Sequence, residues 1–267
     1  MRSSAWSEGS TTLLGLIPRA AQGLSVRPDM MTDVTVIVDL LERPVYGLSQ
    51  VDYILGLTPG TARRWIDGYR RGERTYDPVV RLRTTGSDTV TWGEFVETRL
   101  LSEYRDAGVP LIRMRPAIDR LRDELDSKYP LASAKAWLAT DGRELVRRVQ
   151  DEVGLDRNLS LVVVRSGQAT LDWSRQADDF RASAEWTGTG EDAQIRLLRP
   201  NSEIREVVVD PLRSFGEPSV RSVRTDIIAE LVRAGDPPDM IAELYELPRA
   251  SVDAAVRYEL LRLRPVS

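Results

Sequence analysis

The sequence predicts an α+β protein: an N-terminal winged helix-turn-helix, a small mixed middle domain with β-hairpins, and a C-terminal three-helix, helix-turn-helix-like bundle. Three observations carry this. Short apolar-striped segments joined by tight turns occur near 48–69 and again in the last fifty residues, β-branched runs bounded by turn residues lie between them, and local charge changes sign from one end to the other. A length of 267 residues allows one to three modules with real cores. The boundaries fall at 1–31 (a disordered tail, or a start assigned too far upstream), 32–128, 129–214 and 215–267.

Residues 1–31 are rich in Ser, Thr, Gly and Arg, and patterned sequence begins only after Met30-Met31. A largely apolar stretch at 34–41 is closed by Pro44. Ser49-Gln50-Val51-Asp52 resembles a capping box with Asp in place of Glu or Gln. Val51, Ile54 and Leu55 then form the stripe of a two-turn helix that Gly56 ends. Thr58-Pro59 restarts the chain as N-cap and first helical residue. The second helix, near 59–69, places Ala62, Trp65, Ile66 and Tyr69 on one side, and the pair fits a helix-turn-helix. Val79-Val80-Arg81-Leu82-Arg83 and Thr89-Val90-Thr91-Trp92 read as two strands around a turn at 84–88, the wing.

Thr91-Trp92-Gly93-Glu94 is a second capping box, opening a helix with Phe95, Leu100, Leu101 and Tyr104 that Gly108 stops. The next helix carries Ile112, Met114, Ile118, Leu121 and Leu125, and Pro116 either begins or kinks it. Segments 134–140 and 143–149 flank Asp141-Gly142, a strong short-hairpin signal. Further on, 161–164 reads as a strand, 168–180 as a helix, and 181–187, 193–198 and 206–209 as strands. In the last fifty residues Thr225 caps a helix with Ile227, Ile228, Leu231 and Val232 that Ala234-Gly235 closes. Pro237-Pro238 starts a second helix with Met240, Ile241 and Leu244, and Pro248 a third with Val252, Ala255, Val256, Leu260 and Leu261.

The chain has no cysteine and no histidine, which removes disulfides, thiol nucleophiles, imidazole bases and most transition-metal sites. Lys128 and Lys135 lack a partnering serine pattern beyond Ser133. Asp123, Glu124, Asp126, Asp178 and Asp179 read as surface charge, and Gly188-Thr189-Gly190 lacks the rest of a phosphate loop. No catalytic, metal or cofactor site is therefore predicted. No apolar run approaches the roughly 20 residues of a membrane helix, and 13–17 is too short for a signal peptide, so the cytoplasm is the expected location. Trp173 and Trp186 are too isolated for a stacking platform and read as core.

A net charge of −4 excludes a uniformly basic nucleic-acid binder but not a local patch. Between 61 and 83 stand seven Arg (63, 64, 70, 71, 74, 81, 83) and three acids (Asp67, Glu73, Asp77), a local +4 on the elements a winged helix lays against DNA. The residues predicted to contact DNA are Arg63, Arg64, Arg70, Arg71, Arg81 and Arg83, with Thr58 and Thr61 near phosphates at the helix start. Arg113, Arg115, Arg120 and Arg122 read as a solvated face. The segment 217–267 holds seven Arg and nine acids, a mildly acidic tail.

The order of these motifs resembles a known family. The run 46–69 (YGLSQVDYILGLTPGTARRWIDGY) is similar to the MerR-type helix-turn-helix of bacterial regulators. The pieces 91–125, 129–145, Ser166-Gly167-Gln168 and 207–220 are similar to bacterial VapB-type antitoxins. The end, 215–260, with FG-x-P, a helix ending Ala-Gly, IAELYELP and a last helix ending RYE, resembles the small three-helix domain of unknown function found beside toxin genes. The sequence departs from that pattern at Pro116, at Pro248-Arg249-Ala250 and at 221–224, which bears on the C-terminal surface. The resemblance implies an antitoxin of a type II toxin–antitoxin pair, not an enzyme. Its partners would be operator DNA and a PIN-domain ribonuclease of the VapC type. A homodimer is expected for a two-fold operator, with the helix at 93–107 and the one after it as dimerisation elements. A stand-alone MerR-like regulator sensing a small molecule, and a protein-interaction scaffold that binds no DNA, remain alternatives.

Overall fold

The computed structural model describes residues 39–165 and 170–262. The predicted tail at 1–31, most of the 34–41 stretch and the Ser166-Gly167-Gln168 motif lie outside them. Helices mix with small antiparallel sheets, the α+β class that the sequence predicts.

The chain opens with β1 (Pro44–Gly47), α1 (Leu48–Leu55) and α2 (Thr61–Ile66). A hairpin of β2 (Tyr69–Arg71) and β3 (Arg74–Tyr76) follows, then β4 (Thr89–Thr91) and α3 (Trp92–Glu103). The predicted wing is corrected here: β4 pairs with β1, not with 79–83, and 79–83 forms bends. The hairpin of this region is β2–β3, with Tyr69 opposite Tyr76 and Arg71 opposite Arg74.

Thr91 and Glu94 close the predicted capping box: the Thr91 hydroxyl accepts from the Glu94 amide (3.3 Å), and the Glu94 carboxylate from the Thr91 amide (2.9 Å). Every residue from Trp92 to Leu101 is buried. A helix apolar or buried on all sides is a core element, so α3 is the axis of the fold and presents no dimerisation face over those turns. That corrects the expectation for the first dimerisation element. Full burial of Trp92, Phe95, Leu100 and Leu101 contributes about 1.5–3 kcal/mol each. Among these apolar neighbours Glu97 is wholly buried. One carboxylate oxygen accepts the Leu131 amide (2.9 Å), the other has no partner, and burial pushes the carboxyl up from 4.5 to about 8.

α4 (Arg115–Leu125) begins at Pro116's turn without a kink. The predicted strands around Asp141-Gly142 are instead helices, α5 (Ala134–Leu138) and α6 (Gly142–Glu152). Leu145, Val146, Val149 and Val153 recur at helical spacing and pack inward. A Cβ on Gly142 would sit 2.5 Å from the Ala136 carbonyl, so this glycine permits close helix approach, not a hairpin. β5 (Val162–Val164) pairs with β6 (Leu171–Trp173), where the predicted 168–180 helix gives way to a strand before α7 (Arg175–Ser183). The predicted strands at 181–187 and 193–198 appear as β7 (Ala184–Thr187) and β8 (Gln194–Leu198), paired antiparallel, whereas 181–183 belong to α7.

Among the described residues one hydrophobic core draws members from Leu40 to Leu198 and Val209, so the predicted boundary at 128–129 crosses shared packing. A second, smaller core takes Ile204, Val207, Val220, Ile228, Ile241, Val252 and Tyr258. It lies between a three-stranded sheet of β9 (Val207–Val208), β10 (Ser219–Val220) and β11 (Val223–Arg224) and the predicted three helices, α8 (Thr225–Ala234), α9 (Pro238–Leu244) and α10 (Arg249–Arg262). The two cores meet at α1. The Tyr258 hydroxyl donates to the Ile54 carbonyl (2.8 Å), the Tyr53 hydroxyl donates to Glu259 (3.0 Å), and the Arg262 guanidinium stacks 3.3 Å over the Tyr53 ring.

Candidate nucleic-acid interface

α1 ends at Gly56, whose φ of +61° is a left-handed cap. Asp52, predicted as the acid of a capping box within α1, instead reaches across the turn. Its carboxylate accepts the Gly60 amide (2.7 Å) and the Ala62 amide (2.6 Å), filling the N-terminal amides of α2. Burial raises the Asp52 carboxyl above its usual value against the pull of those two amides. The sequence placed Thr58 and Pro59 at this start. The structure begins the helix at Thr61 after Gly60 (φ +82°), with Thr58 exposed in the preceding turn and Thr61 buried, its hydroxyl accepting from Arg64 (2.7 Å).

Ala62 and Ile66 turn inward, and Arg63 and Arg64 are exposed. Arg63 pairs with Asp88, both largely in solvent. Tyr69 belongs to β2, not α2, and stacks on Tyr76 (centroids 4.5 Å, planes at 4°). This pair fixes the hairpin, whose two-residue turn starts at Gly72 with φ +62°, a conformation glycine adopts freely. Arg70, Arg71 and Arg74 all project from it exposed. Arg70 donates to the Gly72 carbonyl (3.2 Å), and none of the three is in an ion pair among the described residues. Arg74 was in the basic segment but not among the predicted contacts. A glycine-led turn between Tyr-Arg-Arg and Arg-Thr-Tyr is the signal that could have placed it. Arg83 is exposed.

Arg81 is not free for phosphate, which corrects its predicted role. Its side chain is buried between Glu94 (2.8 Å) and Asp67 (2.7 Å) and also donates to Thr85, the Ser87 carbonyl and the Thr89 carbonyl. Burial works to raise the Asp67 carboxyl, but the Thr85 amide, Arg81, the Thr85 hydroxyl and the Gly86 amide outweigh it and hold it below its usual value. Arg81 and Asp67 thus shape the 84–89 loop. Arg122 and Arg115, read as solvated, serve in part as straps, donating to the Val80 carbonyl (2.8 Å) and the Leu82 carbonyl (2.8 Å). Arg113 and Arg120 are half-exposed in ion pairs with Asp156, Glu124 and Glu152. A cleft of about 850 Å³ opens beside this loop, bounded by Arg83, Ser87, Arg122, Lys128 and Tyr129.

Arg63 and Arg64 on α2 and Arg70, Arg71 and Arg74 on the β2–β3 hairpin are therefore exposed cations of a local basic segment, in a chain of net charge −4. Among the described residues no helix is long and apolar enough to cross a membrane, and no cluster of acids could hold a metal ion.

These features define an α+β protein with a basic paired-helix head and a three-helix tail. Residues 207–258 match a family described as a protein of unknown function, DUF433. The chain is 37% identical over 243 residues to the uncharacterized protein Rv2308 of Mycobacterium tuberculosis, covering 88% of this chain and 99% of that one, and it belongs to the same family. It is also 28% identical over 217 residues, 76% of its length and 88% of the relative's, to a protein of the same organism named "Putative antitoxin VapB45". The crystal structure of Rv2018 from Mycobacterium tuberculosis is similar with a TM-score of 0.61 and 25% identity, over 80% of this chain and 97% of that one.

Proposed function

We propose that this protein is the antitoxin of a type II toxin–antitoxin pair, which neutralises a PIN-domain ribonuclease of the VapC type and binds its own operator as a MerR-like autorepressor. A toxin–antitoxin role is supported by the relation to VapB45. DNA binding is supported by one observation: Arg63, Arg64, Arg70, Arg71, Arg74 and Arg83, close in sequence on α2, the hairpin and the loop after it, are all exposed. Guanidinium groups on a helix and a wing neutralise phosphates and read guanine edges. The function asks for no catalytic group or cofactor, and a two-fold operator calls for a homodimer. Because α3 is enclosed in the core, that dimer would use another surface.

The test is an electrophoretic mobility shift with the promoter region of the protein's own gene. Arg70→Ala/Arg71→Ala/Arg74→Ala is expected to weaken binding about 100-fold. It should also flatten the salt dependence, by roughly 0.9 in slope for each phosphate no longer neutralised. Arg63→Ala/Arg64→Ala is expected to do the same to a smaller extent. Unchanged shifts for both variants would remove the DNA-binding reading.

The cleft beside the 84–89 loop favours a second reading, a stand-alone regulator whose ligand fills it, since about 850 Å³ is within the range of small-molecule sites. The neighbouring reading frame separates the two: a PIN-domain protein that co-purifies with this chain supports the antitoxin.

A further inference from the structure

We infer that the exposed face of α9, with Met240 and Leu244 at its centre and Asp239, Glu243 and Glu246 around them, is the surface that holds the toxin. It would dock into an apolar groove with a cationic rim. The inference rests on the antitoxin reading above and assigns its protein partner to one place.

α9 and α10 repeat the layout of the head, two helices joined by a short turn, yet their surface chemistry is opposite. Met240 and Leu244 are 53% and 68% exposed and stand four residues apart, so they share one face of α9. Their neighbour Ile241 faces the small core and is buried. Between 236 and 253 there are five acids (Asp236, Asp239, Glu243, Glu246, Asp253) and one base, Arg249, a local charge of −4. Arg249 is itself occupied, bridging Asp239 (2.5 Å) and Asp253 (3.1 Å).

That geometry disfavours nucleic acid. In a helix-turn-helix the N-terminal turn of the second helix meets the base edges. Here that turn offers Arg249 already paired, Ala250 and the carboxylate of Asp253. Duplex phosphates would meet repulsion instead of counterion release.

The same geometry suits a nuclease. A protein that holds RNA must line its groove with cations, and its substrate groove stays accessible when empty. An acidic rim steers such a partner and fixes its register, while a flexible Met and a Leu supply the apolar contact at the centre, where interface energy concentrates. The α9 face carries both parts. By covering a cationic groove it would also account for neutralisation without any chemistry.

The test uses the full chain and the PIN-domain protein encoded in the adjoining reading frame, measured by calorimetric titration at low and moderate salt. Met240→Ser/Leu244→Ser is expected to weaken the complex at least 30-fold. Glu243→Lys is expected to weaken it about tenfold and to reduce its salt dependence. Both substitutions are at exposed positions, so melting temperature and operator affinity should stay within error and twofold of the parent. If the parent binds the nuclease and both variants bind it equally well, the α9 face is not the docking surface. If the parent retains no nuclease, the antitoxin reading falls and this assignment with it. If the variants change the mass of the free protein while toxin affinity holds, the face joins two copies of this chain, and the inference is overturned.

Discussion

The head and the tail of this molecule use one architectural idea twice. Each joins two helices by a tight turn, and each buries a guanidinium against a carboxylate. In the head Arg81 lies between Asp67 and Glu94, and in the tail Arg262 meets Glu259, both side chains 3% exposed. Their outer surfaces diverge completely: +4 over 61–83 and −4 over 236–253. The lesson is that buried charge holds these small units in shape, whereas exposed charge selects what each can approach. Topology alone would assign both units the same partner.

The comparison can be broken first at the buried pairs. Arg81→Ala leaves two buried carboxylates unpaired and should cost about 3–5 kcal/mol in chemical denaturation. That destabilisation would weaken operator binding through unfolding, unlike the hairpin substitutions, which should leave the denaturation midpoint in place. A fully stable Arg81→Ala protein would mean the head is not held by its ionic interior.

Glu97 sharpens the contrast through pH. Its folded value of about 8 lies above the ordinary 4.5, so the folded state binds more protons between those limits and stability falls as pH rises through that window. The slope for one such group is at most about 1.4 kcal/mol per pH unit. Glu97→Gln should flatten it and gain stability above pH 8. The tail's Glu259, by contrast, accepts from Tyr53, Thr225 and Arg262. The smallest effect is expected from Asp52→Ala, about 1–2 kcal/mol for removal of the cap on α2, read by thermal melting.

How far the fold could be read from sequence depended on whether a signal was local. The Thr91/Glu94 box, the Gly56 and Gly235 caps and the Pro116 start are local backbone chemistry, and all appear where expected. Asp141-Gly142 misled because the pair suits the start of a helix as well as a hairpin, and the helical spacing of Val146 and Val149 decided the outcome. The wing was displaced because β2 and β3 are three residues long and exposed, leaving no two-residue alternation to find. At the candidate site Arg63, Arg64, Arg70, Arg71 and Arg83 stand on the surface, whereas Arg81 does not. A charge in a sequence carries no mark of its burial, and the partners Asp67 and Glu94 are 14 and 13 residues away. Asp52 was legible as a cap but not as the cap of the next helix.

The seam where Tyr258 and Arg262 grip α1 has a consequence for turnover. A protease that removed the C-terminal third would bare the Ile54 carbonyl and the Tyr53 ring on the very helix whose Asp52 aligns α2. Cleavage of the tail would therefore slacken the head as well, so that a single cut would disturb both ends of the molecule at once.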